Sequence, residues 1–166
     1  MAATKIFVLK DVESDAELSL SYFQEIPDSE GLFTCRAAFR CLGAEAACEI
    51  EDYEAGNWSA YFEEIAANWK GWSGEMCSRT YQDSLSITAT ADHFGHISLA
   101  VALRTAVPPV WAFEASITLE SGQLNAIASQ AKAFFGEPRR YTNHLVEASK
   151  PSILQAEAPE TRLILP

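Results

Sequence analysis

The residues that could carry chemistry in this sequence are three histidines, four cysteines and many acids. His93 and His96 flank Gly95 with the spacing H-x-x-H, so both rings could reach one cation if a carboxylate such as Asp92 joined them. The sequence lacks the paired C-x-x-C and the H-E-x-x-H patterns typical of zinc sites, and turns are rich in Asp, His and Gly for backbone reasons. We therefore predict no metal ion and no cofactor.

A catalytic cysteine needs a nearby histidine and an electropositive, partly exposed setting that lowers its pKa. Three cysteines fall on the predicted core face of two strands, where thiols behave as small hydrophobic groups: Cys35, Cys41 and Cys48. The fourth lies near the start of a later strand and stays open as a candidate. The alternative site is therefore a pocket between sheet and helices, for a small molecule or an enzymatic reaction, formed by Trp72, Cys77, His93 and His96.

The most unusual feature is the charge distribution between Arg40 and Lys70, where seven acids occur without a base. These acids could be a solvated surface, partly neutralised across a hairpin. The functional alternative is an acidic docking surface that steers a basic protein partner and raises its association rate. We assign that surface to five residues: Glu51, Asp52, Glu54, Glu63 and Glu64.

Composition limits the classes of function. The chain has 166 residues, of which 48% are apolar, enough for one sizeable core. Its 12 Lys and Arg against 23 Asp and Glu give a net charge of −11, which disfavours binding to nucleic acid or anionic membranes. No apolar run is long enough for a signal peptide or a membrane span, and no familiar catalytic motif occurs. We expect a cytoplasmic, non-enzymatic protein with free thiols, either a monomer or a homodimer.

Alternating apolar residues predict strands over most of the first half and again after residue 77. "LSITATADHFGHISLAVALR" and "VWAFEASITLE" predict a three-stranded meander with a hairpin loop at 92–96. "FTCRAAFRCLGAEAACEIE" can fold about Leu42-Gly43, which pairs Arg40 with Glu45 and Arg36 with Glu49 and separates charged from apolar faces. Two earlier strands, 4–11 and 17–26, complete the set, the second with Leu18, Leu20 and Tyr22 on one face.

Helical spacing of apolar residues predicts two amphipathic helices, 57–70 and 121–135. In "NWKGWSGE" we expect Trp69 on the apolar side of the first helix, Gly71 at its end and Trp72 folding back onto its last turn. The predicted fold is α+β, a single antiparallel sheet of about seven strands with both helices packed on one face. It occupies one domain, 1–136, followed by a proline-bearing tail, 137–166, that packs on the surface.

Three segments, "WKGWSGE", "LSITATADHFGHISLAVALR" and "ITLESGQLNAIASQAKAFFG", resemble a family of small bacterial proteins of unknown function, DUF6228, over roughly residues 57–136. The resemblance implies a bacterial cytoplasmic α+β protein and supplies no catalytic residues. A small, acidic, soluble domain of this kind suggests an immunity protein that neutralises a toxin, because toxins that attack nucleic acid have basic clefts and an acidic partner mimics their substrate's charge. Self-association through an exposed strand edge is a third possibility.

Overall fold

The computed structural model describes residues 5–138 and 145–146. Within them the first antiparallel sheet, sheet A, has the strand order β1 (Ile6–Lys10), β2 (Glu17–Glu25), β3 (Leu32–Cys41), β4 (Ala44–Tyr53). Sheet B, also antiparallel, contains β5 (Glu75–Arg79), β6 (Leu85–Ala91), β7 (His96–Thr105), β8 (Trp111–Glu120) and the short β9 (Leu145–Val146), in the order β8-β7-β6-β5-β9. Helix α1 spans Gly56–Ala67, and α2 spans Leu124–Phe135 after a 3₁₀ turn at Ser121–Gln123.

The predicted single sheet of seven strands is wrong, although the α+β class is correct. Helix α1 connects β4 to β5, so these two strands do not pair and the chain starts a second sheet. The sheets approach at the β1 and β8 edges, where the Val12 backbone N–H donates to the Thr118 carbonyl at 3.1 Å. Each sheet has one apolar face, and a second sheet can cover that face as effectively as a layer of helices.

The prediction that both helices pack on one face of a single sheet is wrong. The helices contact both sheets within a single core. The Phe7 ring of β1 lies 5.0 Å from Phe62 of α1 and 5.9 Å from Phe135 of α2. On the side of sheet B, the Tyr61 hydroxyl of α1 lies within hydrogen-bond distance of the carbonyl oxygens of Met76 (3.2 Å) and Ile87 (3.1 Å). The helix pair therefore joins the two sheets.

The predicted hairpins are confirmed residue by residue. Arg40 pairs with Glu45 and Arg36 with Glu49 across β3 and β4, and the turn residues Leu42 and Gly43 have φ values of 49° and 77°. These positive values match the two-residue turn that suits the twist of a hairpin. The β6–β7 and β7–β8 pairings likewise place the predicted alternating residues on the buried face.

Tyr22 departs from the prediction, because β2 carries a bulge. The register with β3 shifts between Ser21 and Gln24, Tyr22 adopts a φ of 55°, and its side chain is 69% exposed. Phe23 turns inward instead, and its ring lies 5.2 Å from that of Phe33. A bulge inserts one residue into the alternation and so exchanges the faces beyond it.

The "NWKGWSGE" segment is a joint between α1 and β5, with differences in detail. Helix α1 ends at Ala67, and Trp69 is 51% exposed rather than on the apolar stripe. The helix begins at Gly56, one residue before the predicted start at 57, and its N-terminus has no side-chain cap. Trp72 packs against the core. Gly71 has a φ of 100°, and a Cβ there would lie 3.1 Å from the Asp92 carbonyl oxygen, so glycine permits close approach of the β6–β7 loop.

The predicted surface tail, 137–166, lies mostly outside the described residues, apart from its first two residues and β9, which pairs with β5. No helix in the described ranges is long and apolar enough to cross a membrane.

Candidate functional site

A groove of about 690 Å³ lies between the edge strand β4 and the ends of the two hairpins of sheet B. Its β4 wall includes Glu49 and Glu51, and the β5–β6 loop contributes Asp83. The opposite wall comes from the β7–β8 connection and the start of β8, with Val110 and Trp111. The groove thus combines carboxylates on one side with apolar side chains on the other.

Among the described residues, some charged side chains of the groove form ion pairs and others do not. Arg104, its one cationic lining residue in the described chain, forms an ion pair with Glu114 at 2.6 Å. Asp83 lies 3.7 Å from the Arg79 guanidinium. Within the described residues Glu49 and Glu51 make no ion pair, and since they are two positions apart on β4 their side chains point to the same face. These two carboxylates leave the groove with an unbalanced negative charge.

Exposed apolar side chains lie on the groove wall and close by. Val107 and Val110, in the β7–β8 connection, are 73% and 72% exposed. Near the β5–β6 loop, Tyr53 and Tyr81 are 44% and 69% exposed, with their rings nearly perpendicular at 5.6 Å. Tyrosine is enriched at protein interfaces because it offers a large apolar surface with a polar end. Together with the carboxylates, these residues suit a ligand that is cationic at one end and apolar along its stem, as Lys and Arg are.

Asp52 lies next to Glu51 of the groove wall, although its own side chain does not line the groove. Its side chain is buried, at 8% exposure, with Oδ2 accepting a hydrogen bond from Trp58 Nε1 and Oδ1 accepting one from the Tyr81 backbone N–H, both at 2.9 Å. Burial raises the pKa of this carboxyl, and the hydrogen bonds oppose the shift. Asp52 thereby joins β4 to α1 and to the β5–β6 loop.

The five predicted docking acids occupy different surroundings. Only Glu51 lines the groove. Asp52 is buried and unavailable for docking, and Glu54 lines a separate cleft of about 180 Å³. Glu63 is exposed and Glu64 half-buried, both on α1. Glu49 was not among the predicted docking acids because it was expected to be partly neutralised across the hairpin, although its place two residues before Glu51 on β4 was a usable signal.

The residues of the predicted alternative pocket do not line the groove. His96 Nδ1 lies 2.9 Å from Asp92 Oδ2, and Asp92 Oδ1 accepts hydrogen bonds from the backbone N–H groups of Phe94 (2.8 Å) and His96 (2.9 Å). The hydrogen bond with His96 lowers the pKa of Asp92 to about 2, and the same bond raises the pKa of His96. These groups organise the β6–β7 turn.

The remaining members of the alternative pocket are dispersed. The His93 ring contacts Phe94, at 4.0 Å between centroids. Cys77 accepts a hydrogen bond from Thr88 Oγ1 at 3.5 Å, on sheet B, whereas Trp72 packs against the core. Over 5–138 and 145–146 no group of three or more His, Cys, Asp or Glu side chains is placed to hold a metal ion.

The four cysteines are free thiols. Cys35 is buried, and burial raises the pKa of its thiol to about 12. Cys48 is half-buried, and burial raises its pKa as well. Thiols that remain protonated at neutral pH are poor nucleophiles. These two cysteines therefore contribute to packing.

The fold and the groove define a small α+β protein with two antiparallel sheets and an acidic, apolar-walled surface groove. This chain belongs to DUF6228, a family of unknown function, whose family model matches residues 10–138. The match is longer than the resemblance predicted over 57–136 and includes the strands that carry Cys35, Cys41 and Cys48. A search of curated proteins found no match.

Proposed function

We propose that this protein is a non-enzymatic binding domain that recognises a basic protein partner at the groove beside β4. The observation that supports this most is the pair of carboxylates, Glu49 and Glu51, that line a partly apolar groove and form no ion pair within the described residues. A basic side chain of a partner would place its stem against Val110 and Trp111 and its charge near these carboxylates. The net charge of −11 adds long-range attraction for such a partner.

The partner that fits this chemistry best is a toxin that acts on nucleic acid, which makes the protein an immunity protein. An enzyme that binds a phosphate backbone needs a basic cleft, and an acidic domain that covers the cleft excludes the substrate. Complementary charge raises the association rate, an advantage for an inhibitor that must act before damage occurs. The support for a toxin partner is the acidic charge of this small domain.

A small-molecule-binding function is the second candidate, favoured by the groove volume of about 690 Å³. Ligand pockets commonly have volumes of about 300–1,000 Å³ and combine apolar walls with a few polar groups. The two free carboxylates would then select a cationic ligand. This groove, rather than the dispersed set of Trp72, Cys77, His93 and His96, would be the place to look for it.

The test is affinity purification of the tagged protein from a lysate of its source organism at low salt, with mass spectrometry of the retained proteins. We expect one stoichiometric basic partner that is released as salt rises. Its activity on nucleic acid should be inhibited at a one-to-one ratio. Retention of no protein, together with a cationic small molecule recovered from the purified chain, would refute the protein-binding function and favour the second candidate.

A further inference from the structure

Strand β4 is an edge strand of sheet A, and its outer main-chain groups are open. In a two-residue hairpin the pair next to the turn, here Cys41 and Ala44, is a hydrogen-bonded pair, and such pairs alternate along an antiparallel ladder. The intervening residues of β4 therefore direct their N–H and C=O groups away from β3. Before the end of the strand at Tyr53 these are Glu45, Ala47, Glu49 and Glu51.

The N–H and C=O groups of these four residues have no hydrogen-bond partner in the described chain. Glu45 and Glu49 are exposed, and Ala47 and Glu51 are half-buried, so the edge is accessible. From Glu45 to Glu51 it extends for about 20 Å at 3.3 to 3.4 Å per residue. Its last part, at Glu49 and Glu51, forms a wall of the groove. An open strand edge is a template for pairing with another strand.

We propose that the partner inserts an extended segment that pairs with β4 as a fifth strand of sheet A. The basic character of the segment rests on the function proposed above, whereas the pairing itself rests on the open edge. On the outer face every second side chain of the segment would lie beside Glu49 and Glu51 and is expected to be Lys or Arg. The intervening side chains would lie beside Ala46, Cys48 and Ile50 and are expected to be apolar.

A second copy of this chain fits the edge less well than a basic segment does. Pairing of β4 with β4 of another copy would bring their glutamates onto one face of the combined sheet, where like charges side by side are destabilising. Within the described residues Glu45 forms an ion pair with Arg40 of β3 at 3.6 Å, whereas Glu49 and Glu51 form none. The charge of the edge therefore selects a basic occupant.

The experiment uses two synthetic heptapeptides of equal charge, Lys-Val-Lys-Val-Lys-Val-Lys and Lys-Lys-Lys-Lys-Val-Val-Val, with the full-length protein at low salt. Amide hydrogen exchange, read by NMR, reports the main-chain groups directly. We expect the alternating peptide to bind about tenfold more tightly than the blocked one and to slow exchange at the amides of Glu45, Ala47, Glu49 and Glu51. The amides of their neighbours on β4 already bond to β3 and serve as the internal reference.

Two variants separate pairing from charge. Proline is tolerated at an edge position whose N–H faces solvent, so the Ala47→Pro variant should fold. It should no longer bind the alternating peptide, because the N–H that pairs with the peptide is absent. Glu49→Lys with Glu51→Lys should weaken both peptides. If both peptides bind equally and exchange is unchanged, or if neither binds, strand addition is wrong. If the alternating peptide binds the charge-reversed variant with undiminished affinity and still slows exchange at its edge amides, strand addition is correct and the charge-based function is wrong. Protection of these amides in a dimer without peptide would assign the edge to a second copy and overturn the proposal.

Discussion

Replacement of Asp52 by alanine tests whether this buried carboxylate stabilises the junction of β4, α1 and the β5–β6 loop. The change removes the acceptor for two N–H groups, Trp58 Nε1 and the Tyr81 backbone amide, both at 2.9 Å. Trp58 is only 1% exposed, so water cannot easily replace the lost acceptor. A hydrogen bond to a charged group contributes about 1.5–3 kcal/mol, and two such bonds are lost. Relief of the carboxylate's desolvation offsets part of this loss, which leaves an expected destabilisation of about 2–4 kcal/mol.

The assay is urea unfolding followed by tryptophan fluorescence, with Glu63→Ala as a surface control. We expect the control to stay within about 0.5 kcal/mol of wild type. Asp52→Asn should fall between the two, because the amide keeps one acceptor oxygen and turns an NH₂ toward the other donor. A free energy of unfolding for Asp52→Ala within about 0.5 kcal/mol of wild type would refute the structural role of Asp52.

The raised pKa of Asp52 also predicts a pH dependence. The folded state holds this proton more tightly than the unfolded state, whose carboxyl has a pKa near 3.8. The stability associated with the protonated carboxyl is therefore present below that value and is lost as pH rises through the folded-state pKa. Wild type should lose stability relative to Asp52→Asn as pH rises from below 3.8 through the folded-state pKa. A difference between the two proteins that stays constant over this range would contradict the raised pKa.

Three further predictions concern other parts of the molecule. In NMR titrations the pKa of Asp92 should be near 2 and that of His96 above its ordinary value of 6.5. In Asp92→Asn the pKa of His96 should fall toward 6.5, and an unchanged pKa would contradict the interaction between the two side chains. The stability contributed by His96 is present below its unfolded pKa and lost as pH rises through the folded one. Cys35 should resist a thiol reagent in the folded state and react after unfolding, whereas equal reactivity when folded would contradict its burial. Gly71→Ala should be more destabilising in thermal unfolding than Gly74→Ala, because both sites have positive φ but only Gly71 would place a Cβ 3.1 Å from a carbonyl oxygen; equal effects would show that the contact is unimportant.

Local patterns predicted most strands, the pairing of β3 with β4 and the β6–β8 meander, because each depends on a short-range rule. Alternation with period two assigns faces, and a two-residue turn at Leu42-Gly43 fixes the register of β3 with β4. The same alternation carries no information on which strand lies beside which across a helix, so the division into two sheets was missed. The bulge at Tyr22 was also missed. Leu18, Leu20 and Tyr22 continue the period-two alternation in the sequence, and nothing in the residue types of β2 marks the inserted residue.

The candidate site was less predictable than the fold, because its walls come from distant parts of the chain. The β4 wall and the β7–β8 wall are more than fifty residues apart in sequence, and only folding brings Glu51 near Val110. Asp52 could have been recognised as buried, since it is two positions after Ile50 and therefore shares the core face of β4. Its role depends on Trp58 and Tyr81, and that combination has no sequence signature.

The central claim is that the groove beside β4 binds a basic protein, and two matched charge reversals test it most directly. Glu49→Lys with Glu51→Lys changes the groove, and Glu63→Lys with Glu64→Lys makes the same change in net charge on α1. Affinity for the purified partner should be measured for both variants and wild type, at low and at raised salt. We expect the groove variant to lose binding and the α1 variant to keep most of it, with wild-type affinity falling as salt rises. Equal losses in both variants, or undiminished binding by the groove variant, would contradict the assignment of the site.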